Sequence, residues 1–165
     1  LDKHTGLPNK SKCEELLNTP GELDLSTACI MFDLNNLKKV NDAMGHQAGD
    51  NMIRSFAQLL RKAVPPTEFV GRYGGDEFIV IMNGVTPGEV DAFLEKLANM
   101  TVDHNRSGTQ LMSVIPLRYA AGFAHSAQVP NSTMASLLKV ADSNMYANKA
   151  RIKAALGKEE QLSFR

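Results

Sequence analysis

The sequence predicts an α/β or α+β domain, a sheet covered by helices. Two observations carry that expectation. Strand-like and helix-like stretches alternate along the whole chain, with Gly and Pro clusters at the joins. The helical stretches each carry a single apolar face, which needs a sheet or another helix to cover it. A length of 165 residues corresponds to one domain, large enough to bury its own core.

The elements follow in order. Pro8 to Leu17 reads as a short helix. Thr27 to Phe32 is a continuous apolar run of strand length, as expected of a buried central strand. Asn35 to Asp42 has room for about two helical turns. Asp50 to Ala63 spaces Met52, Ile53, Phe56, Leu59, Leu60 and Ala63 three and four apart, an amphipathic helix. Glu68 to Arg72 and Glu77 to Met82 flank a Gly-Gly turn and read as a β-hairpin. Pro87 to Met100 opens with Thr86 as N-cap, Pro87 at the first helical position and Glu89 completing a capping box. Its face is Val90, Phe93, Leu94 and Leu97. Leu117 to Ala124 is a further strand. Ser132 or Thr133 caps a long last helix with Met134, Leu137, Leu138, Ala141 and Met145 turned inward.

Composition excludes several classes. Apolar residues make 43% and charged residues 22%, ordinary globular values. Eighteen basic and 18 acidic side chains leave no net charge, which argues against a dedicated nucleic-acid binder. Two cysteines, Cys13 and Cys29, are too few for a disulfide framework or zinc site and read as buried free thiols in a reducing, cytoplasmic setting. No apolar run reaches the roughly 18 residues of a membrane span, so no membrane contact is expected of the domain. The start at Leu1 reads as a piece of a longer parent, for which a membrane anchor is left open.

The chemistry concentrates in Gly71-Arg72-Tyr73-Gly74-Gly75-Asp76-Glu77-Phe78. Glycines at a hairpin tip permit positive φ and let a ligand approach the backbone. Two adjacent carboxylates repel unless a cation joins them. Asp33 ends the buried strand that contains Phe32, so oxygen ligands come from two separate elements. That is what Mg²⁺ takes, with phosphate oxygens completing its shell. Metal-assisted phosphoryl or nucleotidyl transfer is the chemistry this points to. The bland readings are a solvated turn for the hairpin acids and a helix cap for Asp33. His104 and His125 are read as surface or strand-end residues.

Gly74-Gly75-Asp76-Glu77-Phe78 spells the signature of the GGDEF family, the diguanylate cyclases, and four more blocks resemble the family in order. Asp2 to Lys10 is similar to D-x-L-T-G-L-x-N-R, Phe32 to Asp42 to F-D-L-D-x-F-K-x-I-N-D, and Gly45 to Asp50 to G-H-x-x-G-D. Ala141-Asp142, Tyr146 and Lys149 fit A-D-x-A-L-Y-x-A-K. The resemblance covers nearly the whole chain. It implies a mostly antiparallel sheet surrounded by helices, similar to the palm of class III nucleotidyl cyclases and polymerases, over residues 1–157, with 158–165 as a tail. It implies condensation of two GTP into cyclic di-GMP with loss of two pyrophosphates. On that basis Asp33, Asp76 and the Leu34 carbonyl would hold two Mg²⁺ ions, with Mn²⁺ as the alternative. Asp76 or Glu77 would assist loss of the 3′-hydroxyl proton, and Lys38 joins them as a catalytic residue that meets phosphate. Asn41 and Asp50 would bind guanine and His46 would contact substrate. Gly74, Gly75, Lys149 and Lys153 complete the substrate set. The implied partners are GTP, a second copy in a transient or regulated homodimer, and an N-terminal sensory domain.

The departures are specific. Asn35 replaces the second Asp of F-D-L-D. His4 and Leu37 replace Leu and Phe. Lys153 stands where the family has a phosphate-binding Arg, keeping charge but losing the fork. The family's product-inhibition motif R-x-x-D reads Pro65-Pro66-Thr67-Glu68, without its Arg. The alternative readings are a catalytically silent domain acting as a GTP sensor or scaffold, and a cyclase with altered base choice.

Overall fold

The computed structural model describes residues 1–109 and 115–163. The chain order is α1 (Lys10–Leu17), β1 (Ala28–Leu34), α2 (Leu37–Met44), α3 (His46–Ala63), β2 (Phe69–Arg72), β3 (Glu77–Met82), α4 (Pro87–Thr109), β4 (Tyr119–His125) and α5 (Met134–Ser163). The strands form one sheet, β2-β3-β1-β4, in which every pairing is antiparallel. The element order and the sheet-and-helix class are those expected from the sequence.

The strand period of two sorts the core into two layers. From β1, Ala28, Ile30, Phe32 and Leu34 point to one side and meet α3 and α4 through Phe56, Leu60, Val90 and Leu97. Cys29 and Met31 point to the other side and meet α1 and α5 through Cys13, Leu17, Leu137, Ala141 and Met145. Edge-to-face contacts of Phe56 with Phe32 (5.7 Å) and Phe78 (5.1 Å) knit the first layer, each adding about 0.5–1.5 kcal/mol beyond area burial. Cys13 and Cys29 are free and buried. Burial pushes both thiols up, to about 11 and about 12, so neither is a nucleophile at neutral pH.

Several boundaries move for identifiable reasons. β1 runs two residues beyond Phe32, because Asp33 is paired on both sides, with Glu77 and with Ala120. α2 starts at Leu37 rather than Asn35, after Asn36 takes a left-handed conformation at φ 66°. α3 starts at His46 rather than Asp50, because Gly45 at φ 88° closes α2 and opens α3 in one corner. α4 runs to Thr109, about two and a half turns past its expected end at Met100. There the Asn105 amide bonds both backbone groups of Leu117, at 2.8 and 2.9 Å, and ties the helix to the start of β4. The Thr86–Glu89 capping box forms as expected, both bonds 3.1 Å. Thr133, not Ser132, caps α5, exchanging bonds with Ser136. α5 continues to Ser163, through most of the stretch read as a tail; residues 164–165 lie outside the described residues.

α5 docks on β4 closely enough to matter for the site. Gly122 lies under its backbone, so a Cβ there would run into the main chain of Asn144 and Met145. β4 is an edge strand, and two of its outward backbone groups are closed by asparagines one helical turn apart. Asn148 Oδ1 accepts from the Ala121 amide (2.9 Å) and Asn144 Nδ2 donates to the Phe123 carbonyl (2.9 Å). His125 is buried at the end of β4, its ring bonded to the Val85 carbonyl and the Ala127 amide. His104 is exposed on α4.

Candidate active site

The same alternation that builds the core delivers a carboxylate to the end of the sheet. Asp33 is the third residue in the row of Cys29 and Met31, and so emerges on the α5 side. It is 7% exposed. The antiparallel register sets Glu77 opposite it, and the Leu34 amide donates to the Asp76 carbonyl at 2.8 Å. Strand pairing alone therefore brings the strand-end acid and the two hairpin acids together.

A buried carboxylate is costly unless its oxygens are occupied. Asp33 Oδ2 accepts from Lys149 Nζ of α5 at 2.8 Å, while Oδ1 is buried with no hydrogen-bond partner. The neighbouring acids register the crowding. Burial first, and then the Asp33 charge, hold the Asp76 carboxyl above the usual carboxylate range. Glu77 is raised by burial, then by Asp33, Asp76 and Asp142. The bond to Asp33 is the main cause that raises Lys149.

An all-oxygen site with an orphaned carboxylate oxygen suits a hard cation. Among the described residues no group of three His, Cys, Asp or Glu side chains forms a cage for a metal. The unpartnered oxygen of Asp33 beside the Asp76 carboxyl is the donor set that an ion such as Mg²⁺ takes, using one or two carboxylates and leaving its other positions to water or phosphate. Asp33 and Asp76 would hold it, with the Leu34 carbonyl as the backbone candidate.

The signature turn is held from behind. Arg72 Nε donates to the Gly74 carbonyl (3.2 Å) and Nη2 to the Gly75 carbonyl (2.8 Å). Arg72 Nη1 donates to both Asp2 oxygens, at 3.1 and 3.2 Å. Asp2 in turn accepts from the amide and hydroxyl of Thr5. Burial pushes the Asp2 carboxyl up, but bonds from Thr5 and Arg72 outweigh it and hold it below its ordinary value. The glycines do not use the freedom expected of them: neither Gly74 nor Gly75 is among the positive-φ residues. Gly74 is small because Glu77 lies against it, where a Cβ would come within 3.1 Å of Oε1. Gly75 faces open space. Replacing Arg72 with Ala is expected to loosen this turn. Amide exchange at Tyr73 and Gly74, both bonded to the Glu77 carbonyl, should quicken about tenfold or more, equivalent to about 1.4 kcal/mol. Arg72→Lys should recover little of it, because an ammonium lacks the planar fork. Unchanged exchange in Arg72→Ala would remove Arg72 from this role.

Asn41 meets Gly49, the residue before Asp50, at the α2–α3 corner. The Asn41 amide lies against Gly49, at the place a Cβ would occupy, and this accounts for a glycine just before Asp50. Asn41 Oδ1 is buried and without a partner. It is the second orphaned acceptor in the chain's candidate residues. His46, Lys38 and Lys153 are exposed. Lys38 lines an open depression with Asn36, Lys39, Asp42 and Ala43. Lys149, expected at phosphate, lies instead on Asp33. The structure thus gathers Asp33, Asp76, Glu77 and Lys149, with Gly74 against Glu77. Asn41, against Gly49, and Asp50 beside it lie at the α2–α3 corner. Glu68, at the place of the product-inhibition Asp, is engaged by the Asn83 amide at 2.8 Å.

Sequence reasoning missed Asp2 and Arg72 as a pair. A signal existed, since an acid and a base each stood in a quoted motif, but 70 residues separate them. It also missed Asn144 and Asn148, whose spacing of four is one helical turn.

A family model described as "Diguanylate cyclase, GGDEF domain" matches residues 1–154. The Bacillus subtilis signaling protein YkoW is 32% identical over 158 residues, 93% of this chain and 19% of that protein. The Caulobacter vibrioides response regulator PleD is 31% identical over 129 residues, 74% of this chain and 27% of that protein. The chain thus spans less than a third of these curated relatives. Among solved structures, the GGDEF domain of DgcB from Caulobacter crescentus, in complex with c-di-GMP, is 26% identical with a TM-score of 0.74. That match covers 90% of this chain and 86% of that one.

Proposed function

Because the chain belongs to the diguanylate cyclase GGDEF domain family, we propose that it condenses two GTP molecules into cyclic di-GMP and releases two pyrophosphates. The observation that carries this reading is the buried Asp33 carboxylate, one oxygen orphaned, beside Asp76 at the mouth of the sheet. A catalytically silent domain has no need to keep two repelling acids together.

Bound Mg²⁺ would lower the pKa of the attacking 3′-hydroxyl and offset charge on the α-phosphate and the leaving pyrophosphate. The chain's residues have distinct tasks around it. Asp33 and Asp76 supply carboxylate oxygens. Glu77, raised by burial and then by its acidic neighbours, is suited to accept the 3′-hydroxyl proton. Lys38, Lys149 and Lys153 meet phosphate oxygens, and His46 lies at the substrate's edge. Asn41 offers guanine an acceptor that has no partner in the protein. Asp50 takes the guanine N1–H and 2-amino donors, which adenine lacks. One domain holds one GTP, and two bonds must form, so two copies facing about a two-fold axis complete the reaction. Among the described residues no helix is long and apolar enough to cross a membrane.

Incubation with GTP and Mg²⁺ followed by product identification tests the proposal. Cyclic di-GMP and pyrophosphate are expected. GTP binding without turnover would favour the silent-sensor reading. Base choice is expected to rest on Asp50. Asp50→Ala should reduce the preference for GTP over ATP by about 10²-fold or more, since a site built to hydrogen-bond one base discriminates by leaving polar groups unpaired. Unaltered selectivity in competition assays would make Asp50 a structural residue.

A further inference from the structure

Lys149 does not stand free at the site to await phosphate. Its ammonium is 2.8 Å from Asp33 Oδ2, the carboxylate that would hold a metal. From this geometry we infer that Lys149 is an exchangeable counter-ion, which holds Asp33 while the site lacks a divalent cation and passes to the triphosphate once that cation arrives. The inference rests on the metal reading of Asp33 and Asp76 given above.

Four observations support the exchange. The Asp33 side chain is 10% exposed, so its charge needs a partner whether or not a metal is bound. Lys149 satisfies only one of its two oxygens, since Oδ1 remains unpartnered. The arrangement is therefore incomplete, with capacity for a better cation. A dication held by Asp33 and Asp76 would stand close to the ammonium, and two like charges gathered at one carboxylate repel, which weakens the hold of Asp33 on Lys149. Finally, the lysine can leave but cannot go far. Its side chain is 30% exposed, a compact charge on a flexible stem. Its backbone is pinned by the Asn148–Ala121 bond one residue away and by Met145 in the core below.

The consequence is coupling. Divalent cation binding frees a positive charge at the position where phosphate oxygens would enter. By linkage, phosphate that holds Lys149 favours the metal to the same extent. Each ligand alone competes with the Asp33–Lys149 pair, whereas together they replace it.

The test is Mn²⁺ binding to the nucleotide-free chain, followed by electron paramagnetic resonance. Lys149→Met should bind Mn²⁺ about tenfold tighter than wild type or better, within the usual range of coupling between sites. Lys149→Arg, which keeps the competing charge, should bind like wild type. Lys149→Gln can still donate to Asp33 Oδ2 without a charge; it is expected between wild type and Lys149→Met, and decides the matter if the latter fails to fold. Equal or weaker Mn²⁺ affinity in the uncharged variants than in wild type would overturn the exchange while leaving the metal site intact. Asp76→Asn reports on the metal reading separately. If wild type, Lys149→Met and Asp76→Asn all fail to take up Mn²⁺, that reading falls and the exchange falls with it.

Discussion

Gly122→Ala is expected to destabilise the chain by about 3 kcal/mol or more, and Gly122→Val to prevent stable folding. A net stability of about 5–15 kcal/mol leaves little room for such a loss. The cause is backbone against backbone. A Cβ on Gly122 would meet the Met145 amide, the Asn144 carbonyl carbon and the Met145 Cα. No rotamer change relieves a clash with main chain, so α5 must lift from β4. That movement would open the contacts of Leu137, Ala141 and Met145 and pull Asn144 and Asn148 from their backbone partners. It would also withdraw Lys149 from Asp33. Urea unfolding followed by far-UV circular dichroism measures the effect. A midpoint within error of wild type would refute the close approach.

Asp76→Asn and Asp33→Asn are expected to reduce cyclic di-GMP synthesis about 10³-fold or more, the scale of losing charge stabilisation made in the transition state. Synthesis by either variant at the wild-type rate would remove that residue from the metal site. The two should differ in stability. Asp76 and Glu77 have folded-state pKa values above their unfolded ones. For a carboxyl so raised, stability is highest below the unfolded pKa and declines as pH rises through the folded pKa. Metal-free wild type should therefore lose stability upward from about pH 4, the ordinary carboxylate value. Asp2 is held low and works in the opposite sense: its contribution is present above its unfolded pKa and is lost as pH falls through its folded pKa. Asp76→Asn removes one of the repelling charges. In chelator its melting temperature at neutral pH should rise, by about 2–4 °C for each kcal/mol of repulsion relieved. Asp33→Asn should fall instead, because it removes the charge that the Lys149 ammonium pairs with. Melting curves between pH 4 and 8, with chelator present, separate the two.

The regular part of this fold is legible in the sequence because one force dictates it. Apolar spacing locates α3, α5, β1 and β3, and the faces expected for α3 and α5 are buried as read except Leu138, which is half-buried. The readable capping box of α4 forms because its two bonds are local. What was not legible depends on distant partners. α4 lasts to Thr109 through Asn105 and Leu117, an attachment that leaves no mark in hydrophobic period. The site divides in the same manner. The motifs supply Asp33, Asp76 and Glu77, and the register that brings them together follows from antiparallel pairing. The Arg72–Asp2 clamp, the orphaned oxygens of Asp33 and Asn41, and the seat of Lys149 on Asp33 arise only once the chain has closed.

The two asparagines along β4 set a limit on how the molecule meets others. An open sheet margin recruits any passing extended segment, because unpaired amides and carbonyls accept a new strand. Here the Ala121 amide and the Phe123 carbonyl are already taken by Asn148 and Asn144. Two of the groups that would seat a new strand are therefore occupied, which disfavours extension of the sheet past β4. The helix that carries Lys149 to Asp33 thus also blunts this margin of the sheet against edge-to-edge aggregation.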